Sequence, residues 1–311
     1  MTSALRVSDL SVRYGKHHAL KNIDVEIASG ELIGIIGPNG AGKTSFIKAL
    51  CGRVNYDGYV EIADARLKRG HDRQKLLGLV PQDIGLYGHM SARENLTVFA
   101  KIMGLPKTSR KTAVEDALIA VGMSGKANDL VSALSGGMKR RINVAAAIMH
   151  NPTVIIFDEP TAGVDVPARD TLHRLARKLA ERGIAVLLVT HELEQAEALC
   201  DKVLILCDGA KLDFDTPPRI LSRNFAGMRE VMVRYASPPE AEVVKSMKPF
   251  EFSQGELPTI WTAMTQASEV SFVSAFMTAL KNRNDLVREV SVRRPGLTSL
   301  MHRIEQTGTC Q

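Results

Sequence analysis

Short apolar segments and helix-like segments alternate along much of the chain. Glu31–Ile36, Val154–Phe157 and Ile184–Val189 are largely apolar runs of strand length, a pattern typical of strands that are buried on both faces of a parallel sheet. Ser45–Leu50 and Ile142–Ile148 have the character of helices that follow such strands. The pattern therefore predicts an α/β fold.

The residues from about 227 onward have a different rhythm, in which alternating strands and amphipathic helices form one β-α-β-β-α-β series. This order resembles a ferredoxin-like module, so we expect a small C-terminal α+β domain. The series consists of strand Arg229–Ala236, a helix from Ser237 to Met247, strands Phe250–Ser253 and Leu257–Met264, helix Ser268–Lys281 and strand Leu286–Arg293. Ser237 and Glu240 have the spacing of a capping box at the start of the first helix, and a last helix is expected after Gly296.

The composition is that of an ordinary soluble protein, with 45% hydrophobic and 24% charged residues among 311. No apolar run approaches the ~20 residues of a membrane span, and the N-terminus shows no secretory signal, so a cytosolic chain is expected. The net charge of +6 suits an anionic membrane surface, a nucleotide or a nucleic acid equally well.

A glycine-rich segment between the first apolar strand and its helix matches the phosphate-binding pattern G-x-x-x-x-G-K-[ST]. Lys43 would reach the β- and γ-phosphates of a nucleoside triphosphate, and the hydroxyl of Thr44 would bind Mg²⁺. The alternative is a glycine-rich turn without a ligand. The candidate nucleotide-binding residues here are Gly37, Pro38, Asn39, Gly40, Ala41, Gly42, Lys43, Thr44 and Ser45.

Two acidic residues follow the apolar run Val154–Phe157. Asp158 and Glu159 stand at the C-terminal end of a predicted parallel strand, where ligands bind in open α/β sheets. Asp158 fits a carboxylate that holds Mg²⁺, and Glu159 is then free to polarise an attacking water. The alternative for such a pair is a helix cap or a surface turn.

The segment Leu134–Met138 reads Leu-Ser-Gly-Gly-Met, and we call it the signature segment. It lies between the phosphate-binding loop and Asp158, and a histidine, His191, follows the later strand. This order resembles the ATPase subunit of ATP-binding-cassette (ABC) transporters over about residues 5–220. The resemblance implies a P-loop NTPase core of the ABC ATPase type with an inserted helical subdomain, and it implies ATP and Mg²⁺ as cofactors.

The resemblance also implies roles for residues that the strong motifs do not contain. Tyr14 would stack on adenine, Gln82 would link the nucleotide and Mg²⁺ to the transporter contact, and His191 would lie near the γ-phosphate. From a second copy of the chain, the signature residues would close over the bound ATP, and the loop with Asp165 would cross the dimer interface. The implied catalytic set is Lys43, Gln82, Glu159 and His191, the metal set is Thr44, Gln82 and Asp158, and the signature residues are Ser135, Gly136 and Gly137.

The sequence departs from the common family pattern at three places, two of which point to a branch of the family. Met138 replaces a frequent Gln at the end of the signature segment, and Gly163-Val164 precede Asp165 where Ala-Leu is commoner. Both variants resemble those of exporter subfamilies. The ending Arg293–Leu297 resembles the tail of ATPases that serve drug and polysaccharide exporters, although Thr298-Ser299 replace the usual acidic pair.

The expected organisation is an ABC ATPase domain over residues 1–224, with a helical subdomain at about 83–140, and an accessory domain over 227–311. The resemblance implies an integral membrane permease and a second ATPase subunit, in the simplest case a homodimer, as partners, and no nucleic acid. The chain would then be peripheral, at the cytoplasmic face of the inner membrane. The apolar loop Ile84–Met90 either fills a core or receives a short helix of the permease.

Two other functions remain open at the level of the sequence. A soluble ABC-type regulator of ribosomes or nucleic acid usually has two cassettes or a long coiled-coil insertion, and neither pattern is visible. An importer ATPase with a C-terminal regulatory domain would be expected to end in a small β-barrel, which the β-α-β-β-α-β pattern does not favour.

Overall fold

The computed structural model describes residues 3–63, 65–66, 71–255, 257–266, 268–280 and 287–307. These residues form two compact units, which meet in the chain between Pro217 and Pro218. Within the described residues, none of the helices has the length and apolar character that crossing a bilayer requires.

The first unit contains two sheets. Its strands are β1 (Ser3–Tyr14), β2 (His17–Ala28), β3 (Leu32–Ile36), β4 (Asp57–Ile62), β5 (Ala65–Arg66), β6 (Leu77–Val80), β7 (Val154–Asp158), β8 (Ala185–Val189), β9 (Lys202–Cys207) and β10 (Ala210–Asp215). A four-stranded antiparallel sheet has the order β2-β1-β4-β5, and a six-stranded sheet has the order β10-β9-β3-β8-β7-β6. The six-stranded sheet is parallel except for β10, which confirms the predicted α/β fold.

The helices of the first unit are α1 (Lys43–Leu50), α2 (His71–Leu76), α3 (Ala92–Ile102), α4 (Lys107–Ala120), α5 (Gly136–Ile148), α6 (Val166–Glu181) and α7 (Leu193–Leu199). Phe46 and Leu50 of α1 are fully buried in one apolar core with residues of both sheets, such as Leu10 and Ile156. This core fixes α1 between the sheets. Helices α3, α4 and α5 pack against one another in the stretch for which we predict the helical subdomain.

The second unit is built on a separate antiparallel sheet. Its elements are α8 (Pro217–Phe225), β11 (Arg229–Tyr235), α9 (Ala241–Met247), β12 (Ser253–Gln254), β13 (Ile260–Thr265), α10 (Glu269–Leu280), β14 (Val287–Arg293) and α11 (Leu297–Thr307). The strand order β12-β13-β11-β14 with antiparallel neighbours confirms the ferredoxin-like arrangement. A core with Val233, Phe252 and Phe276 packs the two intervening helices on this sheet.

Two local predictions in this unit are wrong. Helix α9 begins at Ala241 with Glu240 as its N-cap, and not after Ser237, because Pro239 disfavours the helical conformation at Pro238. Of the expected strand Phe250–Ser253, Phe250 ends a 3-10 turn that begins at Lys248, and only Ser253 pairs with β13, together with the next residue, Gln254. The predicted ends at Lys281 and Leu286 lie outside the described residues.

Candidate functional site

The glycine-rich loop between β3 and α1 is a close-fitting backbone turn. Gly42 has φ 104°, and a Cβ there would lie 2.6 Å from the carbonyl oxygen of Ala19. A Cβ on Gly37 would lie 2.2 Å from the carbonyl oxygen of Leu206. Both distances are too short for any side chain, so the loop conformation requires glycine at these positions. The loop ends at the N-terminus of α1, where backbone N–H groups and the helix dipole favour an anion.

Lys43 is the first residue of α1, and its side chain folds back into this loop. Its side chain is only 8% exposed, and Nζ donates hydrogen bonds to the carbonyl oxygens of Gly37 at 2.6 Å and Pro38 at 2.9 Å. Burial lowers the pKa of the Lys43 ammonium, and the negative charge of Glu159 opposes this shift. The ammonium is thus held inside the loop by two backbone carbonyl oxygens.

The acidic pair lies where two neighbouring parallel strands end. Asp158 of β7 is paired with Val189 of β8, and the N–H of Glu159 donates to the carbonyl of Val189 at 3.1 Å. Burial, and then the charge of Glu159, raise the pKa of the Asp158 carboxyl. These two strand ends therefore bring the acidic pair beside the segment that contains His191.

Glu159 has an unusual backbone conformation and a direct histidine contact. Its φ of 48° is in the left-handed region, which a residue other than glycine occupies at an energetic cost and often at functional sites. Its Oε1 lies 2.5 Å from Nε2 of His191. The carboxylate that contacts His191 is thus carried by a backbone in the left-handed conformation.

A cleft of about 310 Å³ joins these elements. It contains ten of the residues singled out in the sequence: Tyr14, Asn39, Gly40, Ala41, Gly42, Lys43, Thr44, Ser45, Glu159 and His191. Tyr14 lies at the end of β1 and is 46% exposed. The structure thus brings an exposed aromatic ring, the glycine-rich loop and the Glu159–His191 pair to one opening.

His17 and Ala19 also line the cleft, and sequence reasoning missed both. They follow Tyr14 across a two-residue turn, in which Tyr14 pairs with His17 and Gly15 has φ 60°. A glycine in the first position of a two-residue turn is a known hairpin signal. That signal would have placed His17 opposite Tyr14.

Several candidate residues lie away from this opening. Within the part of the chain that the structure describes, the cleft lining does not include Gly37, Pro38, Gln82, Ser135, Gly136, Gly137, Asp158 or Asp165. Gly37 and Pro38 act on the cleft through Lys43, because their carbonyl oxygens accept hydrogen bonds from its ammonium. Gln82 is exposed on the loop after β6.

The signature segment forms an exposed helix start. Ser135 is the N-cap of α5 and accepts a hydrogen bond from the N–H of Met138 at 3.3 Å. Ser135 and Gly136 are exposed, and a Cβ on Gly136 would meet no atom within 4 Å. A Cβ on Gly137 would lie 2.6 Å from the Cβ of Ala168 in α6. The signature segment therefore presents free space on one side and packs closely on the other.

Asp165 starts the helix against which Gly137 packs. It is the N-cap of α6, and its Oδ1 accepts a hydrogen bond from the N–H of Ala168 at 2.9 Å. The next residue, Val166, is 57% exposed. The starts of α5 and α6 are thus neighbours on one exposed surface.

The sequence of the chain is similar to those of known ATP-binding proteins. The pattern of the ABC transporter family matches residues 20–162. The chain is 37% identical over 229 residues to the linearmycin resistance ATP-binding protein LnrL of Bacillus subtilis, covering 70% of this chain and 71% of that protein. It is 34% identical over 240 residues to the Nod factor export ATP-binding protein I of Burkholderia thailandensis, covering 76% of this chain and 78% of that protein.

Solved structures show the same likeness. The cbiO1 protein of Clostridium perfringens, part of the ABC transporter complex cbiONQ, has a TM-score of 0.66 at 26% identity and covers 72% of this chain and 92% of that chain. A dimeric ATP-binding cassette with ADP and phosphate, MJ0796, has a TM-score of 0.59 at 25% identity and covers 68% of this chain and 98% of that chain. With the cleft and its motifs, these matches show that the chain belongs to the ABC transporter family as an ATP-binding subunit of the kind that hydrolyses ATP.

Proposed function

We propose that this chain powers a membrane exporter by binding ATP and Mg²⁺, pairing with a second copy of itself and hydrolysing ATP at two shared sites. The observation that carries this proposal is the cleft, in which Tyr14, Lys43 and the Glu159–His191 pair converge while the signature segment lies elsewhere on the surface. Export is supported by two relatives, whose names refer to Nod factor export and to linearmycin resistance.

Each part of the cleft fits one part of the nucleotide. The exposed ring of Tyr14 offers a face for adenine, because stacking on an aromatic ring suits any base. The N–H groups at the start of α1 and the ammonium of Lys43 face the phosphates. Residues 39–45 all line the cleft, which supports their assignment to the phosphate groups.

The residues proposed for Mg²⁺ have the chemistry that this ion requires. Thr44 supplies an exposed hydroxyl in the first turn of α1, Asp158 a half-buried carboxylate, and Gln82 an exposed amide on a neighbouring loop. All three are hard oxygen donors, which Mg²⁺ prefers. When bound, the ion neutralises charge that develops on the phosphates.

Hydrolysis rests on Glu159 and His191 in this proposal. The carboxylate of Glu159 accepts the proton of the attacking water, and the 2.5 Å contact with His191 fixes the direction in which the carboxylate points. Lys43 stabilises the phosphate charge, and Gln82 links the site to the permease contact. The left-handed backbone at Glu159 supports a functional role for this side chain.

A second copy supplies the rest of the site. Ser135, Gly136 and Gly137 start a helix on an exposed surface, and helix N-termini bind anions. In a two-fold dimer each copy gives its signature segment to the other's cleft, so one self-complementary interface completes both sites. Asp165, at the adjacent start of α6, would lie in that interface.

The loop Ile84–Met90 is the proposed permease contact. Ile84 and Tyr87 are 38% and 44% exposed, which favours docking over the core-filling alternative. Asn95 holds this loop in place, because its side chain accepts from the N–H of Tyr87 at 2.8 Å and donates to the carbonyl of Tyr87 at 3.0 Å. A fixed apolar surface of this kind suits a short helix of a membrane partner.

With this proposed permease contact, the chain would be peripheral, at the cytoplasmic face of the inner membrane. The proposed division remains an ATPase domain over 1–224, with its helical subdomain at about 83–140, and an accessory domain over 227–311.

The test is co-purification of the tagged chain from membranes solubilised in mild detergent, followed by mass spectrometry after a salt wash. We expect a polytopic membrane protein in about a one-to-one ratio with the wild-type chain and its loss with Tyr87→Glu. Val270→Glu is the matched control, since Val270 is 79% exposed in the second unit. Recovery of the chain alone, or with ribosomes, contradicts the transporter assignment.

A further inference from the structure

Arg140 is a buried cation that no sequence motif singled out. It lies one helical turn after Gly136 in α5, and its side chain is only 7% exposed. Burying a charge is costly unless it is hydrogen-bonded or paired. The hydrogen-bond partners of the guanidinium therefore indicate the role of arginine at this position.

The guanidinium of Arg140 donates to two different loops. Nη1 donates to the carbonyl oxygens of Pro81, at 3.2 Å, and of Gln82, while Nη2 donates to the carbonyl oxygen of Ala162 at 3.2 Å. The first two carbonyls belong to the loop after β6, and the third belongs to the loop after β7. A single side chain thus ties the start of α5 to both loops.

Sheet topology explains why one side chain can reach both loops. Strands β6 and β7 are parallel neighbours in register, so the loops that follow them leave the same edge of the sheet side by side. Asn143, one turn nearer the middle of α5 and 5% exposed, adds a bond from Nδ2 to the carbonyl of Asp83 at 3.4 Å. The loop after β6 is therefore held to α5 at three successive residues.

The loop after β7 leads directly to the reacting groups. The N–H of Ala162 donates to the carbonyl of Glu159 at 3.2 Å, and the same loop ends at Asp165, the N-cap of α6. Arg140 is thus two hydrogen bonds from the backbone of Glu159 and one from that of Gln82.

We propose that Arg140 is a positioning residue that makes the signature helix, the Gln82 loop and the Glu159–Asp165 loop move as one body. The proposal rests on the proposed function, since it takes Gln82 and Glu159 as parts of the ATPase site. A planar guanidinium can serve carbonyls in two directions at once, whereas a lysine ammonium is a single point of charge. Displacement of the signature segment by a second copy is then transmitted to both loops.

The test compares Arg140→Met and Arg140→Lys with Arg177→Met. Arg177 of α6 is a matched control, since it also donates to a backbone carbonyl, that of Leu199, and pairs with Asp201. We expect Arg140→Met to lower kcat about 10- to 100-fold, as displacement of catalytic groups by about 1 Å does. Affinity for a fluorescent ATP analogue should stay within about threefold, because Tyr14 and the glycine-rich loop, which are proposed to hold the nucleotide, are not among the hydrogen-bond partners of Arg140.

Arg140→Lys keeps the buried charge and should give an intermediate kcat, which provides a folded variant if Arg140→Met unfolds. Combined with Gln82→Ala, Arg140→Met should cost less than it does alone, because the two changes act on one loop. A folded Arg140→Lys or Arg140→Met with wild-type kcat, or strict additivity with Gln82→Ala, overturns the proposal. Normal hydrolysis by Glu159→Gln would instead overturn the proposed function, so the two failures are distinguishable.

Discussion

The cleft and the signature segment differ in how complete they are within one chain. The cleft brings together the cation of Lys43, the Glu159–His191 pair and the aromatic ring of Tyr14. The backbone of its glycine-rich loop leaves no room for a Cβ at Gly37 or Gly42. The signature segment offers an exposed helix start, with open space around Gly136. The cleft is a pocket formed within one chain, whereas the signature segment is an exposed surface with room for a binding partner.

This difference separates binding from turnover. In the proposed function, a single chain has the groups for holding a nucleotide, whereas the second anion-binding helix start comes from another copy. ATP that binds the closed pair better than the open pair shifts the population toward the closed pair. Substitutions in the two regions should therefore have different signatures, and four of them test this view.

Glu159→Gln should have the largest effect, because it removes the proposed general base and keeps the shape of the side chain. We expect kcat to fall by about 10²- to 10⁴-fold, with ATP still bound and a dimer accumulating on size-exclusion chromatography. Glu181→Gln, an exposed carboxylate at the end of α6, is the control. Turnover near wild type in Glu159→Gln removes Glu159 from this role.

Lys43→Ala should weaken nucleotide binding, because it removes the ammonium that the loop carbonyls hold in place. Hydrogen bonds to charged groups contribute about 1.5–3 kcal/mol each, so the Kd of a fluorescent ATP analogue should rise about 10- to 100-fold. Lys48→Ala, exposed on the same helix, should bind normally. Equal affinities of the two variants would contradict the assignment of the cleft.

Tyr14→Ala should have a smaller effect on the same titration. The ring is 46% exposed, so we expect the lower end of the stacking range, ~1 kcal/mol, or about a fivefold rise in Kd. Tyr14→Phe keeps the face of the ring and should bind as the wild type does. A loss of affinity in Tyr14→Phe would point to the hydroxyl in place of stacking.

Gly136→Glu should change the affinity of the cleft least. A side chain fits there without a clash, and the new negative charge opposes an anion only when a second copy closes. We expect ATP binding to be retained, while ATP-dependent dimerisation, measured by light scattering, is lost. Dimerisation as in the wild type would place the partner surface elsewhere.

Local patterns predicted the parts of the fold that depend on local chemistry. The run Val154–Phe157 predicted β7, and the glycine spacing at Gly37–Thr44 predicted a strand–loop–helix turn, because burial on both faces and backbone geometry constrain residue type directly. The ferredoxin-like order followed from alternation in the same way. The predicted start of α9 after Ser237 was wrong, because the restriction that Pro239 places on the backbone of Pro238 outweighed the capping pattern.

Features that depend on contacts between residues far apart in the chain could not be predicted from local sequence patterns. Arg140 stands in a basic run that is typical of a solvated helix start, and only the pairing of β6 with β7 brings carbonyls from two loops within its reach. The left-handed backbone at Glu159 likewise occurs where its N–H donates to Val189 of the neighbouring strand, 30 residues further along the chain. Such contacts join residues far apart in the chain, and apolar periodicity carries no information about them.

The hydrogen bonds of Lys43 bear on discrimination among anions. Two of the three N–H groups of its ammonium already donate to the carbonyls of Gly37 and Pro38, so an incoming phosphate gains the third donor in full and has to exchange for the other two. A lone inorganic phosphate or sulfate brings no ring for Tyr14 and few further contacts to offset that exchange. The two internal bonds therefore lower what a small anion gains from this cation, and we expect ATP, with the added contacts of its adenine and further phosphate groups, to bind in preference to inorganic phosphate or sulfate.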